Sequence, residues 1–333
     1  MNRLKLLLNV FFLVAFSACA VQAPPPRASG PGPSLTKIRL PMSYIPNVQF
    51  APFYVAVERG YFAEAGIEIE FDYKFETDGV KLVAAGELPF AVVSGEQVVL
   101  ARSQGLPIKY FVQWYRRFPI AIFSLQTTGI VEPEDLKGKT VGVPGFFGAT
   151  YVGWRAFLDA NGLSEGDLRL EEIGFTQAAA VQQGKVDAAV CYIVNEPIVL
   201  EENGFPVNVF RVSDQVDMVA NGLITNEKTI QENPELVRGM VRAMQRGIAD
   251  VIADPDAAFE IAVTKYVKDL PADQYDTQRQ VLLNSIELWR SDELGRTNPD
   301  AWQTTQDILI QAGLLDAPLD DLSACYNMDF LSQ

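Results

Sequence analysis

The carboxylates are where chemistry would begin in this chain. Its 333 residues contain no histidine, which removes the commonest general base, the commonest transition-metal ligand and every Ser/His or Cys/His nucleophile pair. Glu76, Asp78, Glu96 and Glu196 are the carboxylates available in the loops that follow predicted strands, and none stands beside an obvious nucleophile in the sequence. No D-x-D-x-D-G calcium loop occurs. Cys19, Cys191 and Cys325 have no C-x-x-C spacing, so zinc and thiol redox chemistry are not indicated; Cys191 and Cys325 could pair in an oxidising compartment or stay as buried thiols. The residue types therefore favour non-covalent binding over catalysis, with no cofactor or metal.

The binding inventory is aromatic, amide and acid. Tyr44, Asn47, Gln49 and Phe50 follow the short apolar run Lys37–Met42; Glu76, Thr77 and Asp78 follow the alternating run Ile67–Tyr73; Ser94 and Glu96 follow Phe90–Val93; Trp114 and Tyr115 end the run from Ile108. Further on, Phe146, Phe147, Thr150 and Tyr151 follow Thr140–Pro144, Phe175 follows Leu168–Ile173, and Tyr192, Asn195 and Glu196 follow Ala188–Cys191. Aromatic faces stack on planar rings, while acids and amides hydrogen-bond ring edges and hydroxyls. An anion binder would show Arg or Lys, or a bare Gly/Ser helix N-terminus, at such places; Gly145-x-x-Gly148 could be such an N-terminus, but Phe146 and Phe147 lie inside it. Arg116 and Arg117 are the best cationic candidates, and a solvated pair is the simpler reading of them, so anionic solutes rank lower.

The elements that must position these residues alternate. Apolar runs of four to eight residues are separated by helical spacing, as in Phe50, Phe53, Tyr54, Val57 and Tyr61, which predicts βαβ units and a mainly parallel sheet. Helices are expected over about 78–86, from 95 to about 104, from about 150 to 162, over 176–183, from 233 onward, and over 254–267, 272–289 and 299–313. Leu82–Val92 lays over Ala180–Val190 as two helix–Gly–turn–strand units, with Gly86 on Gly184, and Lys37–Tyr44 lays over Lys139–Phe146. Two lobes on one α/β plan would face each other across a cleft, a preferred place for ligands. The formal net charge of −15 disfavours nucleic acid and anionic membrane surfaces as partners.

The N-terminus reads as an export signal: Arg3 and Lys5, then the apolar stretch 6–17, then Phe16-Ser17-Ala18-Cys19. The last four resemble a lipobox, in which Cys19 receives a diacylglyceryl group. Residues 1–18 are thus expected to be a lipoprotein signal peptide and the Pro/Gly/Ser-rich 19–36 a flexible tether, placing the fold at the extracytoplasmic face of the cell membrane on a lipid anchor.

Pro46-Asn47, the run Tyr54–Ile67 (YVAVERGYFAEAGI), Asp135–Val143 (DLKGKTVGV) and Asn233–Val237 (NPELV) resemble periplasmic solute-binding proteins related to the thiamine-precursor binders, over about 37–315. The resemblance implies an α/β, two-lobe periplasmic-binding-protein fold of type II with parallel-type sheets flanked by helices. It implies two hinge crossings, expected near 124–129 and 220–224, with lobe 1 at 37–126 plus 223–333 and lobe 2 at 127–222. It further implies a monomer that closes on a small molecule and delivers it to an ABC transporter permease and its ATPase. The thiamine-precursor binders carry a Cys-rich CCCFC motif where this chain has Val190-Cys191-Tyr192-Ile193-Val194. Ser94-Gly95-Glu96-Gln97 and Pro144–Gly148 resemble the riboflavin-binding lipoprotein branch instead. Riboflavin is the expected ligand, with a thiamine pyrimidine precursor, another small heteroaromatic or a sulfonate-type solute as alternatives. A thiamine-pyrimidine synthase of this fold consumes a histidine with iron, which a chain lacking histidine cannot do.

Overall fold

A computed structural model describes residues 35–331. The signal peptide, most of the tether and Cys19 lie outside the described residues.

The first run of elements is β1 (Thr36–Pro41), α1 (Ala51–Glu58), α2 (Tyr61–Glu64), β2 (Ile67–Asp72), α3 (Glu76–Ala84), β3 (Ala91–Val93), α4 (Gly95–Ser103) and β4 (Ile108–Gln113). The second is β5 (Ile120–Leu125), β6 (Thr140–Val143), α5 (Gly148–Ala160), β7 (Arg169–Glu172), α6 (Gln177–Gln182), β8 (Ala188–Tyr192), α7 (Glu196–Glu202) and β9 (Val207–Arg211). The chain then returns through β10 (Gly222–Asn226) into α8 (Glu227–Glu232), α9 (Pro234–Ala253), α10 (Pro255–Ile261), α11 (Tyr275–Trp289) and α12 (Pro299–Gln311). The predicted helices are present, with α10 continuing as a π-helical turn over Ala262–Tyr266. The short α2, α7 and α8 are additional.

Pairing divides the strands into two lobes. In lobe 1, β1 runs parallel to β2, and β10 lies between β3 and β4. In lobe 2 the order is β7-β6-β8-β5-β9. The expectation of parallel-type sheets is only partly met. β6 pairs parallel with β7 and β8, but β10 runs antiparallel to both its neighbours, and so does β5. Each of these two is the first strand after the chain changes lobe. Arriving without a crossover helix, it enters its sheet against the prevailing direction.

The same pairing corrects the first crossing. β5 hydrogen-bonds to β8 and β9 of lobe 2, so the chain changes lobe at 114–119, ahead of β5, and not near 124–129. The return lies between β9 and β10, ending at Asn221. The two crossings are tied together: the amides of Trp114 and Tyr115 both donate to the Asn221 carbonyl, at 2.9 and 3.0 Å.

The internal echo has a structural counterpart. α3 and α6 both end in a left-handed glycine, Gly86 and Gly184. In each, the residue after the glycine donates back into the last helical turn, Glu87 N to Leu82 O and Lys185 N to Ala180 O. The strands that follow, β3 and β8, deliver Ser94 and Tyr192 towards the interlobe space. The core is apolar and continuous through lobe 1 and much of lobe 2, with a second cluster around Phe123, Val181 and Leu200. Cys191 and Cys325 are both buried and unpaired.

Candidate functional site

Between the lobes lies a cleft with about 780 Å³ of space not filled by protein atoms, part of it open to solvent. Loop geometry at the end of β1 starts the lobe 1 wall. Ser43 is the one non-glycine described residue with positive φ, at 66°, and its hydroxyl donates to the Val92 carbonyl. That anchor holds a backbone conformation side chains seldom adopt, and it turns Tyr44 across the cleft. The Tyr44 hydroxyl donates to Glu196 Oε1 at 3.4 Å and accepts from Asn195 Nδ2 at 3.2 Å, both in lobe 2.

Rings close the mouth and line the floor. At the mouth Tyr44 meets Phe175 edge-on at 4.8 Å, Phe75 lies 5.3 Å from Phe175, and Phe75 meets Phe147 edge-on at 5.1 Å. Each of these pairs spans the lobes. On the floor Phe50 and Trp114 are 5.5 Å apart at 31°, and Trp114 packs on Tyr115 at 4.7 Å. Tyr115 donates to Gln49 Oε1 at 2.9 Å, and Tyr192 donates to Asn221 Oδ1 at 3.2 Å.

Three buried carboxyls carry the electrostatics. Glu76 Oε1 accepts from the Ser94 amide and from the Ser94 hydroxyl at 2.5 Å, while Oε2 accepts from the Ala149 amide of lobe 2 at 3.3 Å. Every partner of Glu76 is a donor, which is the environment of an ionised carboxylate. Glu96 Oε1 contacts the same Ser94 hydroxyl. Glu96 Oε1 also accepts from Gln97 Nε2 at 3.4 Å; the Ser94 hydroxyl owns one proton and cannot give it to both acids, so one carboxyl of the pair must be neutral. Burial, then the charge of Glu76, pushes Glu96 up to about 8. Burial also raises Glu76 above the ordinary range and takes Glu196 to about 7.

Among the described residues no Lys or Arg lines the cleft; Arg116 and Arg117 are exposed. Among the described residues, three that line the cleft each hold a buried polar atom without a hydrogen-bond partner: Trp114 Nε1, Gln177 Oε1 and Glu196 Oε2. Buried polar atoms cost free energy unless partnered, and these three, one donor and two acceptors, have no partner in the protein. Among the described residues no cluster of acids and cysteines could hold a metal ion.

Of the candidates read from the sequence, Tyr44, Glu76, Trp114, Tyr115, Phe147, Thr150, Phe175, Tyr192 and Glu196 line the cleft. The others do not. Asn47 is buried as the cap of a single helical turn, its Oδ1 accepting from Gln49 N at 2.9 Å. Ser94 and Glu96 lie fully buried behind Glu76, so a serine does stand beside carboxylates here, sealed from solvent. Asn195 braces Tyr44 and Glu196 from behind. Thr77, Phe146 and Tyr151 edge a separate shallow hollow on the interlobe seam, and Asp78 lines neither. The cleft also takes in Gln49, Phe50, Phe75, Gln177 and Asn221. Gln49 and Phe50 belong to the aromatic and amide inventory of the first loop, and Phe75 precedes the candidate Glu76. Gln177 opens α6 without a distinguishing neighbour, and Asn221 is marked only by its place at the return crossing.

Comparison with known proteins agrees with this geometry. The NMT1/THI5-like family model matches residues 47–258. The chain is 41% identical to the riboflavin-binding protein RibY of Chloroflexus aurantiacus, over 98% of each chain. It is 30% identical to the formylaminopyrimidine-binding protein of Halalkalibacterium halodurans, over 69% of this chain and 71% of that one. Among solved structures, the alkanesulfonate-binding protein SsuA of Xanthomonas axonopodis superposes with TM-score 0.69 at 13% identity, covering 87% of this chain and 98% of the other. The SsuA of Escherichia coli does so with TM-score 0.69 at 14% identity, covering 86% and 96%. With its two lobes, paired crossings and aromatic cleft, the chain belongs to the NMT1/THI5-like family and has the fold of the periplasmic solute-binding proteins.

Proposed function

We propose that the protein is the extracytoplasmic solute-binding component of an ABC importer, that it captures riboflavin between its lobes, and that it hands the vitamin to a membrane permease. The observation that carries this reading is the cleft lining: aromatic residues from both lobes and, among the described residues, no Lys or Arg, with three lining residues each keeping an unpartnered buried polar atom. A flavin is a neutral flat ring with an edge of alternating donors and acceptors and a polyol tail, and it complements such walls. The likeness to a riboflavin-binding relative over nearly the whole chain supports the same choice. Trp114 Nε1 would donate to a ring carbonyl; Gln177 Oε1 and Glu196 Oε2 would accept from ring N–H or hydroxyl groups.

The function is binding and release, without a chemical step. Ser94, the nucleophile type nearest the acids, is wholly buried and outside the cleft wall, and the chain has no histidine. We further propose that Cys19 carries a lipid anchor and that the protein acts as a monomer.

The test is a fluorescence titration of the full-length protein, purified in mild detergent, with riboflavin. Stacking against Trp114 and the cleft tyrosines should quench the flavin at micromolar concentration or below. Absence of both quenching and a thermal shift would refute the flavin. A thermal shift with a formylaminopyrimidine in its place would transfer the assignment to that solute, which the second relative binds by name.

A further inference from the structure

We propose that Glu76 occupies the anion position at the head of α5 whenever the lobes are closed, so that one carboxylate both latches the lobes and excludes sulfonate- and phosphate-bearing solutes. The inference rests on the reading of this cleft as a solute site, and not on riboflavin being the solute.

The first amides of a helix lack intrahelical partners and sit at the positive end of its dipole, which makes a helix start an anion site unless something fills it. α5 runs for 13 residues and opens directly onto the cleft through Gly148, Ala149 and Thr150. Its own sequence leaves that end bare. Phe147, at the cap, makes no side-chain bond to it, and the first turn holds no acid. What fills it comes from the opposite lobe. Glu76, in the first turn of α3, accepts the Ala149 amide through Oε2 at 3.3 Å. A Cβ placed on Gly148 would stand 3.3 Å from that same oxygen, so the glycine leaves the room the carboxylate uses.

Glu76 is also held in place from behind. Its other oxygen is fixed by the Ser94 amide and hydroxyl, and Glu96 adjoins that hydroxyl. The second oxygen of Glu96 is buried without a partner, as a neutral acid tolerates far better than a carboxylate. A charge left on the pair would then sit on Glu76, whose Oε2 meets the helix amide. Among the described residues no Lys or Arg lines the cleft to offset it. An incoming anion would find the helix amide taken and a negative charge beside it, whereas a neutral ring meets neither obstacle.

Calorimetric titration of the full-length wild type, Glu76→Ala and Glu76→Gln with sodium methanesulfonate and with inorganic phosphate tests this. Circular dichroism would confirm that each variant is folded. The wild type should show no binding at millimolar concentration. Glu76→Ala should gain at least about tenfold in methanesulfonate affinity as the helix start is vacated. Glu76→Gln, which keeps the shape and loses the charge, should gain less. Folded variants no better than wild type at binding either anion would overturn the proposal. If the alanine variant does not fold, the glutamine variant decides. Millimolar binding of methanesulfonate by the wild type itself would overturn it without any variant. A wild type that ignores riboflavin while Glu76→Ala gains the anion would refute the flavin and leave the latch standing.

Discussion

Replacing Gly148 by alanine separates two roles that meet at one atom. Gly148 has φ 74°. An alanine held there costs about 1–2 kcal/mol of backbone strain, partly offset by the roughly 0.4–1 kcal/mol that stiffening the unfolded chain returns. The net loss of about 1 kcal/mol should lower the melting temperature by about 2–4 °C in a chain of this size. Gly184 is the control: it is also left-handed, at 65°, it lies in the same lobe, and nothing approaches the position of its missing Cβ. Gly184→Ala should lose the same few degrees and nothing more. Gly148→Ala has a second cost, because its Cβ would press on Glu76 Oε2 at 3.3 Å and push the carboxylate off the Ala149 amide. A hydrogen bond to a charged group is worth about 1.5–3 kcal/mol. At 3.3 Å this one belongs at the weak end, so about 1.5 kcal/mol, or roughly tenfold in Kd, is expected. That contact exists only where the lobes meet, so its loss should appear in affinity and not in the melt of the unliganded protein. The assay is riboflavin quenching of the two variants beside wild type. If Gly148→Ala melts like Gly184→Ala and binds like wild type, the Glu76 contact contributes nothing to closure and the reasoning fails.

Two further outcomes follow from the buried acids and from the N-terminus. Glu196 and Glu96 have folded pKa values raised by burial to about 7 and about 8 from an ordinary 4.5. The folded chain therefore keeps protons that the unfolded chain releases, and stability from these two groups is full below pH 4.5 and falls as pH rises towards 8. Glu58 and Asp135 are lowered instead, by their hydrogen bonds to Lys265 and Tyr266 and to the Val131 and Glu132 amides, and act only on the acid side of that window. Melting temperature should decline between about pH 5 and 8, and Glu196→Gln should flatten part of the decline; a rise across the window, or an unchanged slope in the variant, would refute the assignment. Cys19→Ala should move the protein from the membrane fraction to the soluble fraction of the producing cells and abolish labelling by radioactive palmitate, whereas a labelled variant would place the anchor elsewhere.

Much of the fold was legible because local physics and the final structure agree. Gly86 and Gly184 announce helix ends that only a left-handed residue makes easily, and the apolar runs between them are buried strands. The lobe boundary was not legible. Ile120–Leu125 reads like any other strand, and the sheet it joins is decided by partners such as Tyr192 and Arg211, some 70 to 90 residues away in the pairing. Trp114 and Tyr115 looked like the end of β4 for the same reason, yet they form the crossing itself. At the site, residue type showed which side chains could bind but not which were already satisfied. Asn47 spends its carbonyl oxygen on its own turn. Ser94 and Glu96 face inward because α4 begins at Gly95, which turns its first residues towards α3. Gln177 was invisible because its value lies in an oxygen that tertiary packing leaves unpaired.

Recognition and closure share side chains in this cleft, and that sharing has a thermodynamic consequence. Glu196 Oε1 accepts from Tyr44 across the lobes, while its Oε2 stays free on the cleft wall. Glu76 lines the cleft and accepts from Ala149 across it. A solute donor that binds Glu196 Oε2 thus orients the carboxyl whose other oxygen holds the lobes together, and its binding energy is expressed partly as closure. A ligand shifts a conformational equilibrium only by its difference in affinity for the two states, and these shared carboxyls supply such a difference. The contact between Arg155 and the Ala312 carbonyl, on the seam between α5 and α12, touches no wall of the cleft. It favours closure equally for every solute, so the selectivity proposed here for a neutral ring would come from Glu76, Glu196 and the rings around them.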